Sequence, residues 1–191
     1  MNHATGSLSN LNSGYRFHGI DHTREVVRAA RKIANECKLG TQDATLVQIA
    51  AWYHDTGFSI SPFNHEFHSK EIARQFLMAN SFPKSYIDQV IDCIRTTRMP
   101  QQPKNLIEAV ICDAVMYHLA GNEYWKKNIS LKREQEFITN KKIRDDQWCH
   151  ENLNFLTQHR YCTDYGKRVL KKFKLSHLSE NVRRLEALKT A

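Results

Sequence analysis

The stretch AAWYHDTGF, residues 50–58, brings an imidazole and a carboxylate together where an apolar helical pattern ends. His54 and Asp55 are adjacent, and Gly57 follows them at the predicted helix stop. Near a helix end the second side chain can turn toward the ligand of the first, so this pair could bind one divalent metal ion. The alternative is structural, with His54 contacting the last helix carbonyls and Asp55 accepting hydrogen bonds from the turn.

Three other segments supply further side chains of the same types. His22 lies in the first turn of a predicted helix, His65 and Glu66 lie at the start of another, and Asp113 lies inside an apolar helix. A carboxylate in an apolar helix face is costly unless it is paired or bound to a metal. A catalytic divalent ion needs such convergence of imidazoles and carboxylates, with positions left for water and substrate.

Four sequence motifs, in this order, resemble the HD-domain metal-dependent phosphohydrolase superfamily. DHTREVV is similar to the HxxxVV element of that superfamily, and AWYHDTGF is similar to its HDxG element. NHEFHSKEIA is similar to an HExxSxxIA element of one branch, and ICDAVMYHLAG is similar to an LCDADLxxLG element. The resemblance covers about residues 15–121 of the chain.

The resemblance implies an enzyme that hydrolyses a phosphoester of a small phosphorylated compound, such as a nucleotide, with metal-activated water. It implies one or two divalent ions per chain, drawn from Mn, Fe, Mg, Ni and Zn. The implied ligands of the primary ion are His22, His54, Asp55 and Asp113. Asp55 could also bridge to a second ion. His118 follows Asp113 by five residues and is expected to point away from the metal.

Asp55, His65 and Glu66 are the predicted catalytic residues. His65 and Glu66 would orient water, move protons or bind a second metal. The alternative for Glu66 is a capping contact at the helix start. The predicted fourth helix ends in CIRTTRMP without a histidine, and Val115 stands where the family branch has an acid. Both departures leave a second metal site with fewer ligands.

Three residues are predicted to bind substrate. Arg98 and Lys104 follow the fourth helix and could hold phosphate oxygens. The alternative for both is an exposed loop cation. His18 precedes His22 by four residues and could line the mouth of the pocket, or it could be an ordinary polar side chain with its hydrogen bonds satisfied.

Helical periodicity predicts an all-α fold, with a core of about five helices and a C-terminal helical extension. The resemblance implies that this core is HD-domain-like. The predicted parts are a polar tail at 1–14, the core at 15–121 and a basic extension at 122–191 packed on the core. Asp21 is the predicted N-cap of the first helix. Predicted core helices are 21–38, 41–54, 65–80, one after Pro83, and 104–120; those of the extension are 130–141, 144–159, 162–174 and 177–188.

The composition limits the classes of partner. The formal net charge is +8, much of it within residues 167–189, which favours an anionic partner; the alternative is that these charges form a solvated helix face. The small phosphorylated substrate fits this charge, and nucleic acid is the less favoured partner. No apolar run approaches the ~20 residues of a membrane span, so no membrane partner is expected. Five dispersed cysteines and the absence of a secretory signal pattern predict a cytoplasmic protein.

Two other functions remain alternatives to the enzyme. One is a metal-containing sensor of an anionic ligand that has no turnover, and the other is a nucleic-acid-binding protein that uses the basic extension. Aromatic residues recur among the charges of the extension, including Trp125, Trp148 and Phe155. They are expected to pack on the core, to cover the substrate or to form a homodimer interface.

Overall fold

The computed structural model describes residues 4, 6, 8 and 11–190. Half of the predicted polar tail at 1–14 therefore lies outside the described residues; of the other half, Ala4 and Leu8 are buried. Eight α-helices lie between residues 20 and 190, and the described part of the chain contains no β-strand, which confirms the predicted all-α fold. No helix among the described residues is both long and apolar enough to cross a membrane.

Five helices and two short 3-10 turns form the first part of the fold. The helices are α1 (Ile20–Glu36), α2 (Thr41–Tyr53), α3 (His65–Ala79), α4 (Lys84–Thr96) and α5 (Leu106–Val115), and the turns are Thr56–Ser59 and Met116–Ala120. Helix α2 lies at the centre and packs against the other four. It can do so because its apolar residues face several directions, which is typical of a buried helix. The end of α2 therefore delivers His54 and Asp55 into the interior.

Helix starts differ in detail from their predicted positions. Gly19, rather than Asp21, is the N-cap of α1, and Asp21 lies in the first turn, where an acid favours the helix dipole. Asn105 caps α5, because its Oδ1 accepts a hydrogen bond from the backbone N–H of Glu108. The carboxylate of Glu108 in turn accepts hydrogen bonds from the backbone of Lys104 and the side chain of Asn105. This reciprocal contact fixes the loop before α5.

The remaining helices form an extension that packs on this core. They are α6 (Tyr124–Thr139), α7 (Asp145–Gln158) and α8 (Lys171–Thr190), with a π-helical turn at Gly166–Leu170 that leads into α8. Helix α6 begins earlier than predicted. The two predicted helices 162–174 and 177–188 are one continuous helical segment, because residues 171–190 contain no glycine or proline to interrupt it.

Lys174 ties α8 to the end of α7. Its Nζ donates hydrogen bonds to the carbonyl oxygens of Leu156 and His159, at 2.8 and 2.7 Å, and the residue is only 3% exposed. A cation at a helix C-terminus interacts favourably with the free carbonyls there. Burial, with smaller contributions from the charges of Arg160 and Lys171, lowers the pKa of Lys174 to about 8.

Gly57 allows the turn after Asp55 to lie directly against the start of α3. A Cβ atom at Gly57 would lie 2.0 Å from the carbonyl oxygen of His65 and 2.8 Å from the backbone nitrogen of Ser69. The backbone N–H of Gly57 donates a hydrogen bond to the buried Oγ of Ser69 at 2.8 Å. This contact keeps Asp55 and His65 in one small region, so the conformation around Gly57 determines the geometry of the site.

Replacing Gly57 with Ala should destabilise the protein by roughly 3 kcal/mol, because the new methyl group would overlap a backbone carbonyl that cannot move freely. Urea denaturation would measure this change in the free energy of unfolding. Gly40→Ala is the matched control, since a Cβ atom there meets nothing within 4 Å. Equal stability of the two variants would contradict the argument.

Lys174 should make the free energy of unfolding depend on pH. The folded protein loses this proton near pH 8, whereas the unfolded chain holds it up to about 10.5. Between these values the unfolded chain binds more protons, so the contribution of Lys174 to stability increases with pH. The stability of the wild type relative to Lys174→Met should therefore rise from pH 7 to pH 10 in chemical denaturation. A constant difference would show that burial does not perturb Lys174.

Candidate metal centre

Three of the four predicted metal ligands come together in the interior. His22 arrives from the first turn of α1, and His54 and Asp55 arrive from the end of α2. One ligand atom from each residue lies within 4.8 Å of the other two. Nε2 of His54 lies 3.0 Å from Oδ2 of Asp55, and Nε2 of His22 lies 3.6 Å from the same oxygen. All three side chains are buried.

The contact between His54 and Asp55 is one between two acceptors. Nδ1 of His54 lies 2.8 Å from the carbonyl oxygen of Ala51, which can only accept, so Nδ1 carries the ring proton. Nε2 is then left with its lone pair. Neither Nε2 of His54 nor Oδ2 of Asp55 has a hydrogen-bond partner among the described residues. Two buried acceptors without a donor are costly, and a shared cation would satisfy both. The residues therefore fit a divalent metal ion.

The electrostatics of the three residues suit the same ion. Burial lowers the pKa of His22 well below its usual value, which keeps this imidazole neutral. Burial alone would raise the pKa of Asp55, but the positive charge that His54, His18 and His22 carry when they are protonated holds it well below its usual range, so this carboxylate is ionised and attracts a cation. A neutral imidazole and an ionised carboxylate are the states in which these side chains bind a metal.

His65 and Glu66 lie on the other side of Asp55. Nε2 of His65 is 3.6 Å from Oδ1 of Asp55 and 3.6 Å from Oε1 of Glu66. The two oxygens of Asp55 thus face different histidines, with Oδ2 toward His22 and His54 and Oδ1 toward His65. The His65 side chain is 21% exposed, so it lies nearer to solvent than the three candidate ligands. Burial nonetheless lowers its pKa.

Asp113 does not join the three candidate ligands. Its Oδ1 accepts a hydrogen bond from the backbone of Cys162 at 2.7 Å, and its Oδ2 accepts from the backbone and the hydroxyl of Thr163 at 3.0 and 2.6 Å. A Cβ atom at Gly166 would lie 2.2 Å from Oδ2, so the extension fits closely over this carboxylate. Burial raises the pKa of Asp113, although the hydrogen bonds oppose the rise. In this structure Asp113 holds the start of the last helical segment.

His18 lies beside the centre, and its position depends on a residue that the sequence did not indicate. Its ring stacks on Phe58, with centroids 4.4 Å apart, and lies 5.8 and 6.0 Å from the rings of His22 and His65. Its Nδ1 forms a short hydrogen bond with Oε1 of Glu134, a residue of α6. Burial would lower the pKa of His18, but the hydrogen bond with Glu134 and nearby carboxylates raise it on balance.

Glu134 could not be found from the sequence because it is 116 residues from His18 and has the appearance of an ordinary acid on an amphipathic helix. The prediction that His118 points away from the metal, which rested on its spacing from Asp113, was also wrong. Its ring lies 5.1 Å from Phe17 and 6.1 Å from His22, so it faces the region of the candidate ligands rather than away from them. The 3-10 turn after α5 produces this difference, because the helical spacing no longer applies there.

Arg98 and Lys104 lie at two adjoining cavities. A cavity of about 350 Å³ is lined by Glu66, Lys70, Arg95 and Arg98 among others. A second cavity of about 450 Å³ shares Arg95 and Arg98 with the first and reaches Lys104. Arg98 forms no ion pair with any residue that the structure describes. The first cavity is therefore lined by both the unpaired guanidinium of Arg98 and the carboxylate of Glu66, which lies 3.6 Å from His65. Lys104 lines the second cavity and not the first.

Two aspartate variants should separate the roles of these carboxylates. Asp55→Ala should remove the bound metal, because the only carboxylate in the group of three is lost. Asp113→Ala should keep the metal but lower the free energy of unfolding by about 3 kcal/mol, since it leaves buried donors of Cys162 and Thr163 unpaired. Metal content by mass spectrometry and urea denaturation measure the two effects. A stable Asp113→Ala protein without metal would contradict the assignment.

The family of the chain follows from a comparison with known proteins. A family model described as HD domain matches residues 19–135, which is more than half of the chain. The matched region includes the three candidate ligands and extends to Glu134. No curated protein and no solved structure matches the chain. The resemblance carried by the four sequence motifs is confirmed, and the chain belongs to the HD-domain family.

Proposed function

We propose that this protein is a metal-dependent phosphohydrolase that acts on a small phosphorylated compound, such as a nucleotide. The observation that carries the proposal is the pair of buried, unpartnered acceptors, Nε2 of His54 and Oδ2 of Asp55, with His22 beside them. These three side chains would hold a divalent ion, which when bound would supply an activated water and neutralise charge on the phosphoryl group.

Three protein ligands favour catalysis over a purely structural metal. Structural sites are usually closed by four protein ligands, whereas catalytic sites keep a position for water or substrate. Asp113 is engaged by the extension, so the group retains one carboxylate and two imidazoles. A sensor without turnover would use the same metal, and only a hydrolysis assay separates it from an enzyme.

His65 and Glu66 are placed to handle the attacking water. His65 lies between Oδ1 of Asp55 and Oε1 of Glu66, at 3.6 Å from each. This spacing leaves room for a small molecule to hydrogen-bond with more than one of these groups. His65 with its lowered pKa is a proton acceptor at neutral pH, and Glu66 can accept hydrogen bonds from water.

The cationic cavity next to Glu66 is suited to the phosphate of the substrate. Its volume of about 350 Å³ falls in the range of small-molecule sites. Arg98 can form two parallel hydrogen bonds with phosphate oxygens, and it has no competing carboxylate among the described residues. Arg95 is less available, because it already pairs with Asp92 at 2.9 Å.

The direct test is hydrolysis by metal-loaded protein. Protein loaded separately with Mn²⁺, Fe²⁺, Mg²⁺, Ni²⁺ and Zn²⁺ would be given nucleoside phosphates and sugar phosphates, and the release of inorganic phosphate would be measured. We expect turnover of at least one compound by the wild type and none by Asp55→Ala. Metal binding without any turnover would contradict the proposal and would favour the sensor.

Arg98→Ala should raise the KM of the hydrolysed substrate by about tenfold to 100-fold, which corresponds to the loss of roughly 1.5–3 kcal/mol from charged hydrogen bonds. Steady-state kinetics would measure the change. Arg31→Ala is the control, because Arg31 is an exposed arginine of α1 and does not line either cavity. An unchanged KM in Arg98→Ala would show that the phosphate binds elsewhere.

A further inference from the structure

We propose that Glu134 of the extension is a positioning residue for His18, and that this pair presents Nε2 of His18 as a hydrogen-bond acceptor for a hydroxyl group at the metal centre. During hydrolysis this hydroxyl group would be that of the attacking water. The role in hydrolysis rests on the proposed function, whereas the geometry of the pair does not.

Glu134 has all the donors that a buried carboxylate requires. It is 1% exposed. Its Oε2 accepts hydrogen bonds from the backbone N–H groups of Phe17 and His18, at 2.8 and 3.0 Å. Its Oε1 is bonded to Nδ1 of His18. Because a carboxylate can only accept, the proton of this last bond belongs to Nδ1. Glu134 therefore fixes the tautomer of His18 in its neutral form, with the lone pair on Nε2. The same bond raises the pKa of His18, so this acceptor form is the one present above that pKa.

The orientation of His18 is fixed by two independent contacts. The bond with Glu134 holds one edge of the ring, and stacking on Phe58 at an interplanar angle of 14° holds its face. Nε2 is the nitrogen on the edge that remains. The His18 side chain is 23% exposed, more than the buried side chains of His22 and His54, so a ligand can reach it directly. The rings of His22 and His65 lie within 6.0 Å of His18, so a molecule bound between them also lies beside the His18 ring.

A purely structural role would not need the ring contact. The two backbone N–H groups at Oε2 already hold the segment before α1 against α6. Only the bond at Oε1 selects a particular ring nitrogen, and its effect falls on Nε2, on the ring edge that Glu134 leaves free. The structural role and the positioning role can therefore be separated by one substitution. It must keep the hydrogen bonds from the backbone of Phe17 and His18 and reverse the direction of the hydrogen bond with Nδ1 of His18.

Glu134→Gln is that substitution. The amide oxygen can accept from the two backbone N–H groups, and the amide NH₂ then faces Nδ1 of His18. Nδ1 must now accept, so the ring proton moves to Nε2, and the free edge of the ring becomes a donor. We expect kcat to fall about 100-fold, with metal content unchanged. Glu136→Gln is the matched control, because Glu136 lies on the same helix and binds the backbone of Ile143 instead.

The tautomer can be read without any activity. In protein labelled with ¹⁵N-histidine and loaded with diamagnetic Mg²⁺ or Zn²⁺, two-bond ¹H–¹⁵N spectra distinguish the two neutral tautomers when they are recorded above the raised pKa of His18, and His18→Phe assigns the signals. We expect the Nδ1–H form in the wild type and in Glu136→Gln, and the Nε2–H form in Glu134→Gln. Titration with inorganic phosphate should shift the Nε2 signal of the wild type. The Nε2–H form in the wild type, or no shift with phosphate, would overturn the proposal.

His18→Phe gives a second kinetic test that does not depend on the folding of Glu134→Gln. It keeps an aromatic ring on Phe58 and removes both nitrogens, and we expect the same fall in kcat. The double variant should be no slower than either single variant. Wild-type kcat in His18→Phe would overturn the proposal. A wild type that binds phosphate with the expected shift but hydrolyses nothing would instead count against the proposed function alone.

Discussion

The buried carboxylate of Asp55 is the constraint on which the rest of the site depends. An ionised carboxylate in the interior is expensive, and here one of its oxygens faces a lone pair of His54 rather than a donor. The polypeptide does not satisfy this arrangement by itself. A divalent ion would be a partner for both acceptors, Nε2 of His54 and Oδ2 of Asp55, and it would also bind His22 from a different helix. Part of the stability of the fold around α2 should therefore come from metal binding.

Two buried carboxylates, one in the core and one in the extension, hold these two parts of the chain together. Asp113 belongs to the core and accepts hydrogen bonds from Cys162 and Thr163, at the start of the last helical segment. Glu134 belongs to the extension and accepts hydrogen bonds from the segment that leads into α1. Each buried charge is thus neutralised by donors from the other part of the chain. The core and the extension are consequently expected to unfold together rather than separately.

The sequence predicted those features that depend only on residues close together in the chain. The apolar periodicity of α1 to α5 indicated the helices, and the pair His54–Asp55 at a helix end indicated the candidate centre. Local sequence failed where a side chain depends on a distant partner. Asp113 has the position of a ligand in the family pattern, but its oxygens bind residues 49 and 50 positions away. Glu134 and His118 gave no usable signal, since one contact spans 116 residues and the other follows a 3-10 turn.

Anomalous diffraction from crystals soaked with Mn²⁺ or Zn²⁺ would locate the bound ion without any assumption about its ligands. We expect one strong peak bound by His22, His54 and Asp55, with Asp113 still hydrogen-bonded to Cys162 and Thr163. A peak bound by Asp113, or a peak outside the three candidate ligands, would contradict the assignment of the metal centre.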